Sequence, residues 1–347
     1  MPLPVPATDP TPIFEAFRGN YGTELLTAAV AHFNVFGRLA ERPMTLAALA
    51  GELGLEPRPA AVLFTALRAM GLLAADEQHR LVLTPVAREH LVPGAEFDVG
   101  AYVGLAAETP GVLAMVERLR TNRPPGTAEN ESGVAYLYRE GVRSAMDEEA
   151  SARHLTLALA GRAKNVAPVL AERLSLAGAR LLVDVGGGSG MYAVALLRRF
   201  AKLRAVVWDR AEVLKVAREL GEAYGVSDRL ECRAGDMFSD PVPDDADCLL
   251  LSNVLHDWDV PECRRLVARF AAVLPSGGRL LIHDVFLDDN HGGPLPVALY
   301  SAALFSITEG RAYSAAEYRE WLVESGLDPQ PIVHTLVHCG VLEGRKP

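Results

Sequence analysis

The sequence is poor in cysteine. Four are scattered through 347 residues (Cys232, Cys248, Cys263 and Cys339), none in a CxxC pair. That spacing argues against a disulfide framework and against a structural metal site, and suits reduced thiols in the cytoplasm. Long apolar runs are lacking too; no stretch reaches the ~20 residues that span a bilayer, so no membrane partner is expected. The opening MPLPVPATDPTPIF has no basic region followed by an apolar one and does not read as a secretory signal. Excess positive charge is also missing. The net charge is -10, whereas nucleic-acid binders normally carry a basic patch or stripe.

What is present is an ordinary globular composition, 50% hydrophobic and 22% charged, in a chain long enough for two domains. Residues 1–12 hold five prolines and read as a loose arm. The pattern is then helical to about Leu91. GNYGTELLTAAVAHFNVFGRLAE reads as one long apolar-faced helix and its continuation. After it come a helix N-capped by Thr45, a turn at Gly54, a helix from Pro59 and a hairpin around Asp76–His79. That is the order of a winged helix-turn-helix. To bind DNA, its second helix should present basic and amide side chains. It offers Arg58 and Arg68 and is otherwise largely apolar, and residues 1–100 hold seven Arg, no Lys and eleven acidic residues. Phe14, Phe17, Leu25, Leu26, Phe33 and Phe36 add apolar surface. Residues 1–97 are therefore expected to form a dimerisation domain that buries this surface in a homodimer, with no nucleic-acid partner.

A second helical region, 98–174, is broken by a polar loop at Thr121–Gly133. Residues 175–347 alternate strands and helices. Strands are predicted at Arg180–Val185, Ala205–Trp208, Leu230–Arg233, Cys248–Ser252 and Gly278–Phe286, with a pair near Pro331–Thr335 and Val337–Glu343. The fold class is α/β, a mostly parallel doubly wound sheet. The last two segments are joined too tightly for a crossover helix, so the final strand should be antiparallel.

The first strand runs into VDVGGGSG. Glycines at a strand-to-helix turn let a ligand approach the backbone at a helix N-terminus. A dinucleotide turn would place a third glycine at position 191, which is Met191. Asp209 ends the second strand, where an acidic residue accepts from ribose hydroxyls. Asp236, in AGDMF past the third strand, can accept from an adenine amino group with Met237 against the ring. Asp184 ends the first strand, near the position for an amino-acid ammonium. Gly186, Gly188 and Ser252 complete the cofactor-binding set. A ribose, an adenine and a cationic amino-acid tail together describe S-adenosylmethionine.

VDVGGGSG, WDRAEVL, AGDMF and LSNVLHDWD together resemble the caffeic-acid/hydroxyindole type of class I O-methyltransferase, over nearly the whole chain. The resemblance implies a Rossmann-like domain binding S-adenosylmethionine, a winged-helix dimerisation domain and an intimate homodimer. His256, just past the strand Cys248–Ser252, is the candidate general base for deprotonating an acceptor hydroxyl. Asp284, in LLIHDVF, matches the position of its acidic partner. Where the family often has a second glutamate this chain has Ala312, within EGRAYS; Glu309 is near but not equivalent. His283 reads as structural, and His291 as a surface-loop residue. For the acceptor pocket the resemblance points to Met146 and the sequence to Tyr300, Leu304 and Phe305. No cluster of Arg or Lys marks a carboxylate or phosphate acceptor, so a mostly apolar aromatic small molecule is expected. N- or C-methylation, or a non-methylating enzyme on the same scaffold, stay open at this level.

Overall fold

The computed structural model describes residues 1–123 and 149–347. Its centre is a sheet whose strands read as buried apolar runs: β3 (Leu181–Val185), β4 (Arg204–Asp209), β6 (Cys248–Ser252) and β7 (Arg279–Leu287), with the half-exposed β5 (Leu230–Ala234) at one edge. The order is β10 (Val333–His334), β11 (Cys339–Arg345), β7, β6, β3, β4, β5, with the two-residue strands β8 (Tyr313–Ser314) and β9 (Asp328–Pro329) pairing with β7 and β11. β7, β6, β3, β4 and β5 are mutually parallel, and β11 is antiparallel to β7, as expected from the short connection. The helices α10 (Met191–Arg199), α11 (Leu214–Ala223) and α12 (Val260–Val273) make the crossovers. Strand order reverses beside β3. A crevice therefore opens between the ends of β3 and β6, where open α/β sheets bind ligands.

The N-terminal part is helical, with α1 (Thr11–Phe17), α2 (Asn20–Thr27), α3 (Val35–Glu41), α4 (Leu46–Leu53) and α5 (Pro57–Ala69), then a hairpin of β1 (Leu73–Ala75) and β2 (Leu81–Leu83). Thr45 caps α4 by accepting from Ala48 N at 3.2 Å, and Gly54 closes it at φ 67°. The expected long helix through residues 19–41 is interrupted. A π-helical turn at Ala28–His32 is followed by Asn34 at φ 47°, a left-handed conformation that a continuing helix does not allow. Short helices α6 (Pro85–His90) and α7 (Gly100–Val103) lead to α8 (Pro110–Thr121). The long α9 (Glu149–Arg173) then packs on α10.

The apolar helix α5 is covered from within the same chain. Val62, Leu63, Phe64 and Leu67 are all buried, packed with Leu25, Phe33 and Phe36 in one core, and α13 (Leu295–Ile307) of the sheet domain lies across α5. Burying side chains of this size is worth about 1.5–3 kcal/mol each. Of the six residues expected to be buried in a dimer, Leu25, Phe33 and Phe36 are buried inside the protomer, and Leu26 and Phe14 pack partly buried against its cores; Phe17 stays exposed. Arg58 and Arg118 bridge the two halves. Arg58 Nη1 donates to Thr308 O at 3.1 Å, Arg118 Nε donates to Phe305 O at 2.7 Å, and both guanidiniums face the Phe305 ring. Arg58 is therefore unavailable to DNA.

The proline-rich arm is not loose. Leu3 and Phe14 pack against the sheet domain, Val337 N donates to Thr11 Oγ1 at 3.2 Å, and His338 Nε2 meets Glu15 at 2.7 Å. This docking delivers Arg18, at the end of α1, to the crevice.

Candidate active site

The turn after β3 needs its glycines. Gly186, Gly188 and Gly190 have φ of 61°, 58° and 71°, conformations that cost a residue with a Cβ about 1–2 kcal/mol. A Cβ on Gly186 would press on Val254 and one on Gly190 on Val207, while one on Gly188 would point into open space. Gly188 is thus the open floor of a cradle. Its N–H donates to Asp209 Oδ2 at 2.8 Å, and Asp209 Oδ1 accepts from Arg210 N.

Asp184 is buried beneath this turn, under the backbone of Gly187, rather than at its open face. Neither oxygen has a hydrogen-bond partner in good geometry. Burial pushes its carboxyl up to about 7, with the Ala193 N–H offsetting part of the effect and Asp209 adding to it. Asp236 is exposed, and its oxygens accept from Phe238 N and Ser239 Oγ. Met237 and Trp258 pack against the same core; the Trp258 ring meets Phe238 edge-on with ring centroids 4.6 Å apart, and its Nε1 is buried without a hydrogen-bond partner among the described residues. Ser252 Oγ faces His283 Nδ1 at 2.8 Å. Burial holds His283 neutral, its pKa drawn down to about 3 with Arg162 contributing. His283 is structural, as its place inside the strand implies.

His256 lies in a single 3-10 turn, Leu255–Asp257, directly after β6. Its Nδ1 is 2.6 Å from Asp284 Oδ1, and both groups are buried. Asp284 also accepts from Val285 N at 2.8 Å and from Tyr318 Oη at 3.1 Å. All its neighbours can donate, the pattern of an ionised carboxylate. Nδ1 therefore carries the proton and Nε2 keeps its lone pair. Burial pulls the His256 pKa down, but the charge and hydrogen bond of Asp284 outweigh it, so the net shift is upward from 6.5. The second acid near this ring is Asp257, 3.6 Å from Nε2 and itself raised to about 6 by burial. Glu309 instead gives its backbone N–H to Asp257 O. A Cβ at Gly310 would run into the backbone of His256 and Trp258, so the EGR segment packs closely against the His256 turn.

The three acceptor-pocket candidates on α13 separate. Tyr300 is half-buried and meets the His256 ring edge-on, 5.7 Å between centroids. Leu304 is buried at 3% exposure, and Phe305 turns to the opposite side of the helix into the N-terminal core. The i, i+4 pair shares a face, and the fifth residue is rotated by about 100°. Phe305 is corrected to a core residue. Met146 lies outside the described residues.

Two arginines that form no cluster in the sequence converge beside Tyr300. Arg18 stacks on Tyr300, its Cζ 3.7 Å from the ring centroid. Arg162, from α9, donates to Asn253 Oδ1 and Cys339 Sγ, each at 3.0 Å. These residues are far apart in sequence, and no local pattern marks them.

The glycine cradle, the acid at the end of β4 and the buried His–Asp pair sit together at one edge of the sheet. Residues 128–328 match the O-methyltransferase domain family. The chain is 35% identical to a 3-hydroxy-5-methyl-1-naphthoate 3-O-methyltransferase of Streptomyces sahachiroi, over 91% of this chain and 89% of that one. It is 31% identical to the acetylserotonin O-methyltransferase of Bos taurus, over 86% and 87%. The chain belongs to the O-methyltransferase family. A crystal structure of an O-methyltransferase family 2 protein from Planctomyces limnophilus, in complex with apigenin, superposes with a TM-score of 0.90 at 49% identity, covering 99% of this chain and 98% of that one. This O-methyltransferase uses S-adenosylmethionine as its methyl donor. The site fits that cofactor: the cradle over Gly188 is open, and Asp209, at the end of β4, is held against it by the Gly188 N–H.

Proposed function

We propose that this O-methyltransferase methylates a phenolic hydroxyl of a small aromatic molecule, with His256 as general base. The buried 2.6 Å contact between His256 and Asp284, at the crevice beside the glycine turn, carries the reading. The relatives named above act on or bind hydroxylated aromatic compounds by their names.

When bound, the cofactor supplies a methyl group on a positively charged sulfur, open to in-line displacement. Gly186, Gly188 and Asp209 would hold its nucleoside end, with Asp236 and Met237 toward the base and Asp184 acting on the turn from below. His256 Nε2 removes the acceptor proton. A phenol has a pKa near 10 and a free imidazole about 6.5, a gap worth roughly 5 kcal/mol if transfer preceded attack. Asp284 narrows that gap by raising the base. Transfer concurrent with attack avoids the rest, and holding the oxygen in line contributes further. Tyr300, edge-on to His256, forms one wall for the acceptor ring.

The N-terminal region, of winged-helix order, we read as the dimerisation domain of a homodimer in the cytoplasm. Phe17, Tyr102 and Leu105 remain 77–79% exposed and supply apolar surface for a second copy. The four free cysteines suit a reducing compartment. Among the described residues no helix is long and apolar enough to cross a membrane, and no acidic, His or Cys cluster suits a metal. Light scattering at micromolar concentration would show a monomer if the dimer reading is wrong.

The deciding experiment is His256→Ala assayed by release of S-adenosylhomocysteine over a panel of phenols. Turnover should fall at least ~100-fold while S-adenosylhomocysteine binds as in the unaltered enzyme. Full turnover in the variant would remove His256 from the mechanism.

A further inference from the structure

The crevice beside His256 holds two arginines that have no anionic partner among the described residues. Arg18 is 8% exposed, and its guanidinium stacks on Tyr300 and lies 5.6 Å from the centre of Phe14. It makes no side-chain hydrogen bond and no ion pair among the described residues. Arg162 donates to Asn253 and Cys339, and its Nε is buried with no acceptor. Among the described residues neither pairs with a carboxylate. Buried charges are ordinarily paired, because desolvation costs several kcal/mol per ion. Here two like charges share one wall. Burial depresses the Arg18 pKa, Tyr300 opposes this, and Arg162 adds to it.

The arrangement is built rather than incidental. Arg18 reaches Tyr300 because the arm docks through Thr11 and Glu15 onto the 337–338 turn. Arg162 is held by Asn253, which follows β6 in the left-handed conformation at φ 57°. Tyr300 links the two functions, with His256 at its edge and Arg18 on its face. A flat molecule along Tyr300 with its hydroxyl at His256 would bring its far side to the arginines. Guanidinium groups pair bidentately with planar carboxylates.

We propose that Arg18, backed by Arg162, is a subsite for a carboxylate carried on the aromatic acceptor, making the preferred acceptor a hydroxyarene carboxylic acid rather than a neutral phenol. The proposal rests on the methyltransferase reading and sharpens its acceptor class. Arg162 also lies in the field of Tyr192, just past the glycine turn, on the side where the methyl donor would bind. Arg18 has no such neighbour, and it is the residue that separates acceptor from donor.

The test uses full-length protein saturated with S-adenosylhomocysteine and titrated calorimetrically with 6-hydroxy-2-naphthoate, whose hydroxyl and carboxylate lie at opposite ends, and with its methyl ester. The acid should bind at least ~10-fold more tightly than the ester, the scale of a charge-assisted hydrogen bond. In Arg18→Gln the two should bind within ~3-fold of each other, with affinity for S-adenosylhomocysteine alone kept. Arg18→Lys keeps charge and bulk but loses the fork; it should lose at least ~3-fold of the preference, and it carries the test if the Gln variant does not fold. Equal binding of acid and ester, binding of neither, or an unaltered preference in both variants overturns the subsite. A ~10-fold loss of S-adenosylhomocysteine affinity in Arg18→Gln assigns the residue to the donor and overturns it too. Preference for the acid with no S-adenosylhomocysteine released from S-adenosylmethionine keeps the subsite and rejects the methylation reading instead.

Discussion

His256 Nδ1 lies 2.6 Å from Asp284 Oδ1 with both side chains buried, and this contact sets the tautomer of the histidine and raises its basicity. A general base must be neutral to act. Burial lowers the His256 pKa and Asp284 more than reverses it, so the protonated form persists above pH 6.5. kcat/KM should therefore rise with pH through a midpoint above 6.5. In Asp284→Asn the two larger opposing effects are gone and burial is countered only by Asp257, 3.6 Å from Nε2. The acid limb should shift below pH 6.5 while the plateau falls ~100-fold or more, since a weaker and misoriented base remains. A pH–rate profile of the two proteins checks this; an unshifted limb would mean that another group titrates.

Asp284 is itself held by Tyr318, whose hydroxyl donates to Oδ2 at 3.1 Å. Tyr318 lies on α14 (Ala315–Glu324), just past Ala312. Removing this bond in Tyr318→Phe should lower kcat/KM by ~5-fold, the effect of about 1 kcal/mol. In an Asp284→Asn background the same change should add little, giving a coupling of roughly 0.5–1.5 kcal/mol in a double-mutant cycle. Full additivity would show that Tyr318 acts through packing rather than through Asp284.

The parts of this site that sequence made legible are those set by local rules. Glycines at a strand-to-helix turn, an acid at the next strand end and a histidine after β6 each follow from backbone geometry within a few residues, and β6 itself spans the predicted Cys248–Ser252. The parts it hid are set by tertiary contact. Nothing around Arg18 or Arg162 announces that chain segments some 140 residues apart share the wall of Tyr300. The apolar surface of α5 signalled burial correctly, but sequence could not show that α13 of the same chain would cover it. Likewise, helical spacing grouped Tyr300, Leu304 and Phe305, and only the structure shows that Phe305 sits between Arg58 and Arg118. The break at Asn34 escaped because asparagine is merely tolerant of the left-handed conformation.

Asp184 is a strained element of the ligand-free protein. Its carboxyl is raised from 3.8 to about 7, so the folded state holds a proton that the unfolded chain releases at about pH 4. Between those values the folded state binds more protons, and its stability falls as pH rises. Asp184→Asn carries no charge to desolvate. Without ligand it should melt higher than the unaltered enzyme at pH 8, and the gap should close toward pH 5, where Asp184 is already protonated in the fold. Thermal unfolding at the two pH values reads this out. A variant that melts lower at pH 8 would show that the carboxylate is satisfied in solution.

The cradle reading makes a claim that backbone strain alone does not. Gly188 and Gly277 both have positive φ, 58° and 77°, and at neither would a Cβ meet an atom within 4 Å. Alanine at either position should cost about 1–2 kcal/mol, lowering the melting temperature by a few degrees in each case. Only at Gly188 does the added methyl enter the space left for the methyl donor, beside an N–H already committed to Asp209. Gly188→Ala should therefore weaken S-adenosylhomocysteine binding by ~10-fold or more, and Gly277→Ala by less than ~2-fold. Calorimetric titration of both variants separates ligand contact from backbone strain. If the two lose affinity alike, the glycines serve the turn and not the ligand.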